Sequence, residues 1–501
     1  MKKILLILLG SFLFLSCGNE KKVEKNDTLQ FAQGSELRTL DPHSATDIYS
    51  RRVLANIFDR LVEKNEELVI VPGIAESWKD ESENRRVFYL RKDIKFHDGT
   101  PLTSKDVKYS LEKATKSPSV GTLYNLIEKV ETPDDYTVVI VTKEPFGALL
   151  HHLSHITASI MSEKYNTSNP DHHLSPMGTG PYKFVEWKSG DRVILTRFDD
   201  YFRGPAKIKN VHVRNVPEEN SRVIGLQTGE IHVSMDITSI ARTSILEDEK
   251  LKLYEKSGLG VSYLGLNTGN GILQDKKLRQ AVVHAIDRNS IIETIMYNSV
   301  QKANSLLGPG VFGYSKDTQT LEYNPKRSKE LLKEAGYENG IDLRLMTTSS
   351  ETNTQLATVI QAQLKEVGIN MSIEQLEWGA FLTATGSGEP DLYYMGWSNS
   401  SGDADYGLSA MLHSSMMGMP GNRSFFNNSE FDSLLDAGKV ELNVDKRKEY
   451  YAKAQNIMND EVPIFPIYFA LANAGVNVNE IEGYNQSPIN NPNFYQLNFK
   501  N

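Results

Sequence analysis

A chain of 501 residues and 56.3 kDa is longer than one hydrophobic core can organise, so roughly three domain-sized units are expected. A formal net charge of -9, a pI near 5.8 and no long basic block argue against a nucleic-acid partner. The single cysteine, Cys17, rules out an intrachain disulfide framework.

The first residues are Lys2-Lys3, an apolar run over 4–15, and then Ser16-Cys17 with a polar stretch to Thr28. A basic start, a short apolar core and a small residue before the cut describe an export signal over 1–16, because the run is too short to span a bilayer. Residues 17–28 are then a hydrophilic tether. Beyond it, Leu29 to Phe31 reads as a strand, and Val53, Leu54, Ile57, Phe58 and Leu61 recur at helical spacing over 47–61. Strands are expected between Trp78 and Phe96, with Asp98-Gly99 as a turn. Thr103 with Asp106 opens a helix that buries Val107, Leu111 and Ala114. With a strand over 136–142, this block reads as a compact α+β subdomain.

Gly178-Thr179-Gly180-Pro181-Tyr182 stands at the mouth of a strand and lacks the Lys-Ser/Thr pair of a phosphate loop. From Val261 to Asn267 a strand is expected, and then one amphipathic helix over 278–296. Asn324-Pro325 reads as an N-cap followed by Pro at the first helical position, with Gly336 closing the helix. Strands over 341–346 and 369–373, with helical spacing between them, argue for βαβ units on a shared parallel sheet. Two helices, over 431–442 and 447–458, precede the apolar stretch Val462 to Tyr468. Its two prolines point to an edge or crossover segment.

The apolar run from Asp391 to Met395 ends in Gly396-Trp397-Ser398-Asn399-Ser400-Ser401-Gly402-Asp403-Ala404-Asp405-Tyr406, a strand that breaks into a polar loop. Ligands in α/β sheets sit outside such strand ends. Asp403 and Asp405 read equally as ligand-facing acids or as the cap of a helix starting near Tyr406. His151 and His155, at helical i, i+4 spacing, with His152, His172 and His173 nearby, are the metal suspects. No glutamate follows the first histidine to make a zinc-protease motif, and they read as a polar helix end and loop. Neither G-x-S-x-G, a nucleophilic cysteine nor separated paired acids are present, so no enzyme is expected and no cofactor is assigned.

Several stretches together resemble the bacterial extracellular solute-binding proteins of family 5, the peptide/nickel receptors of ABC importers. They are Tyr89 through Thr103, Gly178 through Tyr182, Leu278-Arg279-Gln280-Ala281 and Leu331 through Tyr337. The resemblance implies a two-lobed α/β periplasmic-binding-protein fold with two crossover hinge strands. Lobe one would take 29–264 with an extra α+β subdomain over about 74–165, lobe two 265–467, and 468–501 would return to lobe one. Leu15-Ser16-Cys17-Gly18 resembles a lipobox, which implies a monomer lipid-anchored through Cys17 at the cell envelope, in the periplasm or on the outer face of the cytoplasmic membrane, with permease subunits as partners. In peptide-binding relatives the ligand is an added strand between the lobes. That implies contacts from Ser35, Glu36, Leu37 and Arg38 in lobe one, and from Met395, Gly396, Trp397, Ser398, Asn399, Ser400, Asp403, Asp405 and Tyr406 in lobe two. Ser400 stands where dipeptide receptors carry an Asp for the ligand's amino group, and the following loop is closer to the glutathione receptors. A short peptide is the expected ligand, with a preference for glutathione or a similar short acidic peptide; a receptor for nickel or another metal chelate is the alternative, and a secreted hydrolase comes after both.

Overall fold

The computed structural model describes residues 27–418 and 421–500. The export signal, Cys17 and most of the tether lie outside the described residues. Among those described, no helix is long and apolar enough to cross a membrane.

Strand β1 (Thr28–Gln33) leads to helix α1 (Ile48–Leu54), whose N-cap Asp47 accepts from the amide of Ser50. α1 stops at Leu54, short of the expected Leu61. Next comes a four-stranded antiparallel sheet, ordered Ala75–Ser82, Arg85–Leu90, Thr137–Thr142, Ile127–Asp134. Helix α2 (Ser104–Thr115) packs on it, and Asp106 accepts from the Thr103 amide as its spacing predicts. Val107, Leu111 and Ala114 are buried there with Phe88, Ile94 and Ile140. Helix α3 (Leu149–Leu153) adds Leu149 and Leu153 to the same apolar cluster.

Two of the quoted motifs meet here. His97 Nδ1 accepts from the Gly178 amide at 3.3 Å, and its Nε2 lies 3.0 Å from the Gly180 carbonyl. A Cβ on Gly178 would fall 2.1 Å from the Ile57 carbonyl oxygen, so only glycine lets the turn lie against the chain after α1.

A single large sheet runs through the rest of the molecule. Its centre is a long antiparallel pair, β2 (Leu251–Leu266) and β6 (Ile464–Asn477). On the far side of β2 lie β5 (Leu392–Ser398), then β3 (Ile341–Thr348) and β4 (Ile369–Leu376), the last two parallel. On the far side of β6 lie Val233–Met235, β1 and Asn210–Asn215. Each half has its own buried apolar cluster, one around Phe31, Val211 and Phe494, the other around Leu278, Leu345 and Leu364. Among the described residues, β2 and β6 are the strands that pass from one half to the other. Their register breaks between Ser257 and Val261, where Gly258 passes so close to Ala470 that a Cβ would lie 2.8 Å from its carbonyl oxygen. That break precedes the 264/265 division expected from sequence.

Three further elements differ from the sequence reading. The helix expected over 278–296 is two, Lys276–His284 and Arg288–Thr294, because Asp287 caps the second by accepting from Asn289 and Ser290 amides. β2 starts at Leu251, ten residues upstream of the expected strand, since its first half carries Lys252, Glu255 and Lys256 and shows no apolar run. Pro466 lies inside a central strand; it sits at a second register shift, opposite Ser262 and Tyr263, which removes the demand for a regular ladder there. Two helices of the C-terminal part, α4 (Ala404–Leu412) directly after β5 and α5 (Val444–Glu461) before β6, complete the parts that shape the site.

Candidate ligand-binding site

β5 opens with Leu392, Tyr393 and Tyr394, all buried, and ends with Met395 to Ser398, whose burial alternates. One edge pairs with β2 along its full length, Leu392↔Leu266 to Ser398↔Gly260. The other edge pairs with β3 only at Leu392 and Tyr393. Among the described residues, Met395, Gly396, Trp397 and Ser398 therefore present an edge with no strand partner. An open edge is a template for an added strand.

That edge lines a cavity of about 510 Å³ at the junction of the two halves. Its walls include Ile48 and Arg51 from α1, Gly258 to Ser262 at the register break, Thr348 and Asn353, Tyr468 and the return segment Pro488 to Asn490. Trp378 stacks on Phe381 with ring centroids 5.9 Å apart, and both line the same space. Tyr394 bonds to Ser262 and, at 3.3 Å, to Tyr468. A second cavity of about 500 Å³ shares Arg51 and Ile489 with the first and is lined by Ser400, Asp59, Glu63, Glu66 and Lys64. Volumes of this size suit small organic ligands.

The two acids of the loop are committed elsewhere. Asp403 is fully buried and caps α4, accepting from the Asp405 amide at 2.9 Å. Its carboxylate also takes a two-point bond from Arg447 of α5, at 2.9 and 3.1 Å. Arg447 holds Asp403 below the usual carboxylate range against the desolvation that would raise it. Arg447 is itself fixed by the Gly438 carbonyl at 2.9 Å and by the Phe312 ring 4.5 Å beneath it. Asn399 and Ser401 tie the loop together by bonding to the Asp403 carbonyl, and Lys64 of lobe one donates to the Ser401 carbonyl.

Asp405 faces His152 at 3.6 Å. The His152 Nδ1 lies 2.6 Å from the Leu123 carbonyl, so the proton belongs there and a lone pair faces the acid. Burial raises Asp405 above its usual range and lowers His152 below its own, disfavouring the charged form of each. His151 stands 3.8 Å from Asp403 and burial pushes it down to about 3. The expected i, i+4 helix face of His151 and His155 does not form: α3 ends at Leu153, and His155 caps a separate short turn, bonding to Thr157 at 2.7 Å. No group of three or more His, Cys, Asp or Glu side chains suited to a metal occurs among the described residues.

In lobe one, Glu36 accepts from Trp187 Nε1 at 2.7 Å and from the Gly190 amide at 2.9 Å. Leu37 is buried in its own lobe's core, whereas Ser35 and Arg38 are exposed. The segment is irregular, and the amides of Ser35, Glu36 and Leu37 bond to no other backbone group among the described residues.

Of the contacts expected from sequence, Met395, Gly396, Trp397, Ser398 and Ser400 line the cavities. Ser35, Glu36, Leu37, Arg38, Asn399, Asp403, Asp405 and Tyr406 do not, although Tyr406 supports Trp397 with ring centroids 5.5 Å apart. The sequence reading missed Arg51, Trp378, Tyr394 and Tyr468. Only Trp378, an aromatic at a helix start with 47% exposure, left a local signal.

Two α/β lobes joined by two shared strands, with a cavity and an open strand edge between them, define a two-lobed solute-binding protein. The model of the bacterial extracellular solute-binding proteins, family 5, matches residues 69–419, and the chain belongs to that family. The heme-binding protein A of Haemophilus influenzae is 29% identical, with 88% of this chain and 86% of that protein covered. The glutathione-binding protein GsiB of Salmonella choleraesuis is 28% identical over 87% of this chain and 88% of its own. Among solved structures, the periplasmic binding protein DppA of Helicobacter pylori in complex with the peptide STSA superposes with a TM-score of 0.82 at 29% identity, covering 95% of this chain and 98% of that one.

Proposed function

We propose that this protein is the capture receptor of an ABC importer, taking short peptides between its lobes and presenting them to permease subunits in the membrane. The observation that carries the reading is the unpartnered edge Met395–Ser398 on the wall of the cavity between the lobes. A peptide laid along it satisfies main-chain groups whatever its side chains are, which suits a receptor for varied sequences. Ser35 to Leu37, outside the cavity wall but with amides free of backbone partners, is the lobe-one segment that closure of the lobes would bring to the peptide's other side. The lobes divide at the Gly258 to Gly260 break, and Cys17 is the lipid attachment that keeps the receptor at the envelope.

The relatives' ligands differ, so the test uses a panel: a neutral tripeptide, an acidic tripeptide, glutathione, heme and a nickel–histidine chelate. In calorimetry the purified protein is expected to bind at least one peptide at one site per chain, and mass spectrometry should recover that peptide intact. Tight binding of heme or the nickel chelate with no peptide bound would overturn the reading, and so would cleavage of the peptide.

A further inference from the structure

Among the described residues the buried arginines are engaged, whereas the half-buried Arg51 is not. Arg52 is bonded to Asp236 at 2.6 and 2.7 Å, Arg279 to Glu461 at 3.0 Å, Arg288 to Glu322 at 3.0 Å and Arg447 to Asp403. Arg222 donates to the carbonyls of Val216 and Pro217, both at 2.8 Å. The guanidinium of Arg51 has no hydrogen bond and no ion pair among the described residues, and its Nε is buried without a partner. Asp47 at the helix N-cap favours its charge but forms no ion pair with it, its oxygens accepting from Ser50 at 2.7 and 2.8 Å. Burial pulls the guanidinium below its usual range, with Tyr406 and Asp47 opposing. A guanidinium retains its charge under such a shift, since its ordinary value is so high.

Among the described residues, Arg51 is also the only Asp, Glu, Lys or Arg side chain lining the cavity along Met395–Ser398. A partly desolvated cation with no bonded counter-ion gains free energy from a bound anion, and a planar five-donor fork fits a carboxylate at two points. We propose that Arg51 is the anchor for a carboxylate of the ligand, so that the cavity selects anionic ligands carrying an apolar or aromatic group for the Trp378–Phe381 wall. The proposal rests on reading this cavity as the ligand site, and extends that reading to the chemical class admitted.

Two probe pairs test it, each an acid and its carboxamide: the peptide Ala-Leu-Phe, and 3-phenylpropionate, which has no peptide group. In wild type, Ala-Leu-Phe is expected to bind about 10- to 100-fold more tightly than its amide, the range of one charge-assisted contact. 3-Phenylpropionate at millimolar concentration should raise the melting temperature where 3-phenylpropionamide does not. Arg51→Gln should abolish both preferences, and Arg51→Lys, which keeps a charge without the fork, should retain them in weakened form. If the peptide pair fails to bind while the phenylpropionate preference appears and is lost in Arg51→Gln, the peptide reading fails and the anchor stands. Absence of any acid preference in wild type overturns the anchor, as does a preference that survives in Arg51→Gln. Should Arg51→Gln not fold, an Arg51→Lys protein with the undiminished wild-type preference overturns it too.

Discussion

Arg447→Met will lower the free energy of unfolding by about 3–5 kcal/mol, the range for leaving a buried charge unpaired. Asp403 is fully buried; His151, 3.8 Å away, is held neutral by burial at ordinary pH, and Lys64 interacts with the carboxylate only through space. The substitution therefore strands a carboxylate among Phe312, Tyr451 and the Gly147 backbone, groups that Arg447 now contacts. Adding Asp403→Asn to Arg447→Met should restore most of the loss, because an amide can cap α4 without a buried charge. Chemical denaturation of the two variants, each compared with wild type, measures both steps. If Arg447→Met costs less than 1 kcal/mol, the pair is not the clamp described. Calorimetry on Asp403→Asn separates this role from ligand contact, since peptide affinity should change little once the protein is folded.

Acidification should weaken the fold well before the carboxylates titrate. Burial pushes His43, His97 and His232 down to about 4, and His151 to about 3. The geometry agrees for His97 and His232, whose Nδ1 atoms accept backbone amides from Gly178 and Gln30 and cannot carry a proton while doing so. A histidine whose folded value lies below its unfolded value of about 6.5 contributes stability that is fully present above pH 6.5 and is lost as pH falls toward the folded value. Each pH step in that window costs about 1.4 kcal/mol per such group, so several kcal/mol should go between pH 6.5 and 4. Asp405, held above its usual range, acts in the opposite sense as its unfolded counterpart titrates. Denaturation midpoints measured across that window should fall steadily, and less steeply in His232→Asn, which keeps an acceptor for the Gln30 amide. A flat profile from pH 7 to 4.5 would contradict it.

The sequence revealed elements where one local rule dominated. Thr103 with Asp106, Asn324 before Pro325, and the alternation through Ile341 and Ile369 all form as their chemistry requires. The helix cap at Asp403 was legible on the same ground, and the structure shows it, although whether that acid faced a ligand depended on Arg447, 44 residues away in α5. The helix break at Asp287 was missed because apolar spacing continues across it. β2 was missed at its start because a strand shared by two lobes carries charges where it is half exposed. The cavity wall was the least legible part. Arg51, Trp378, Tyr468 and Asn490 come from four distant segments that the hinge strands bring together, and no local spacing relates them.

The central claim is that a ligand joins two lobes that move about the Gly258 to Gly260 break. A ligand touching both lobes stabilises only the closed form, in proportion to its preference for that form. Small-angle scattering of the protein with and without a saturating peptide identified by calorimetry tests this most directly. The account predicts a smaller radius of gyration with peptide, restored on its removal. An identical radius in both states, at demonstrated saturation, would contradict it.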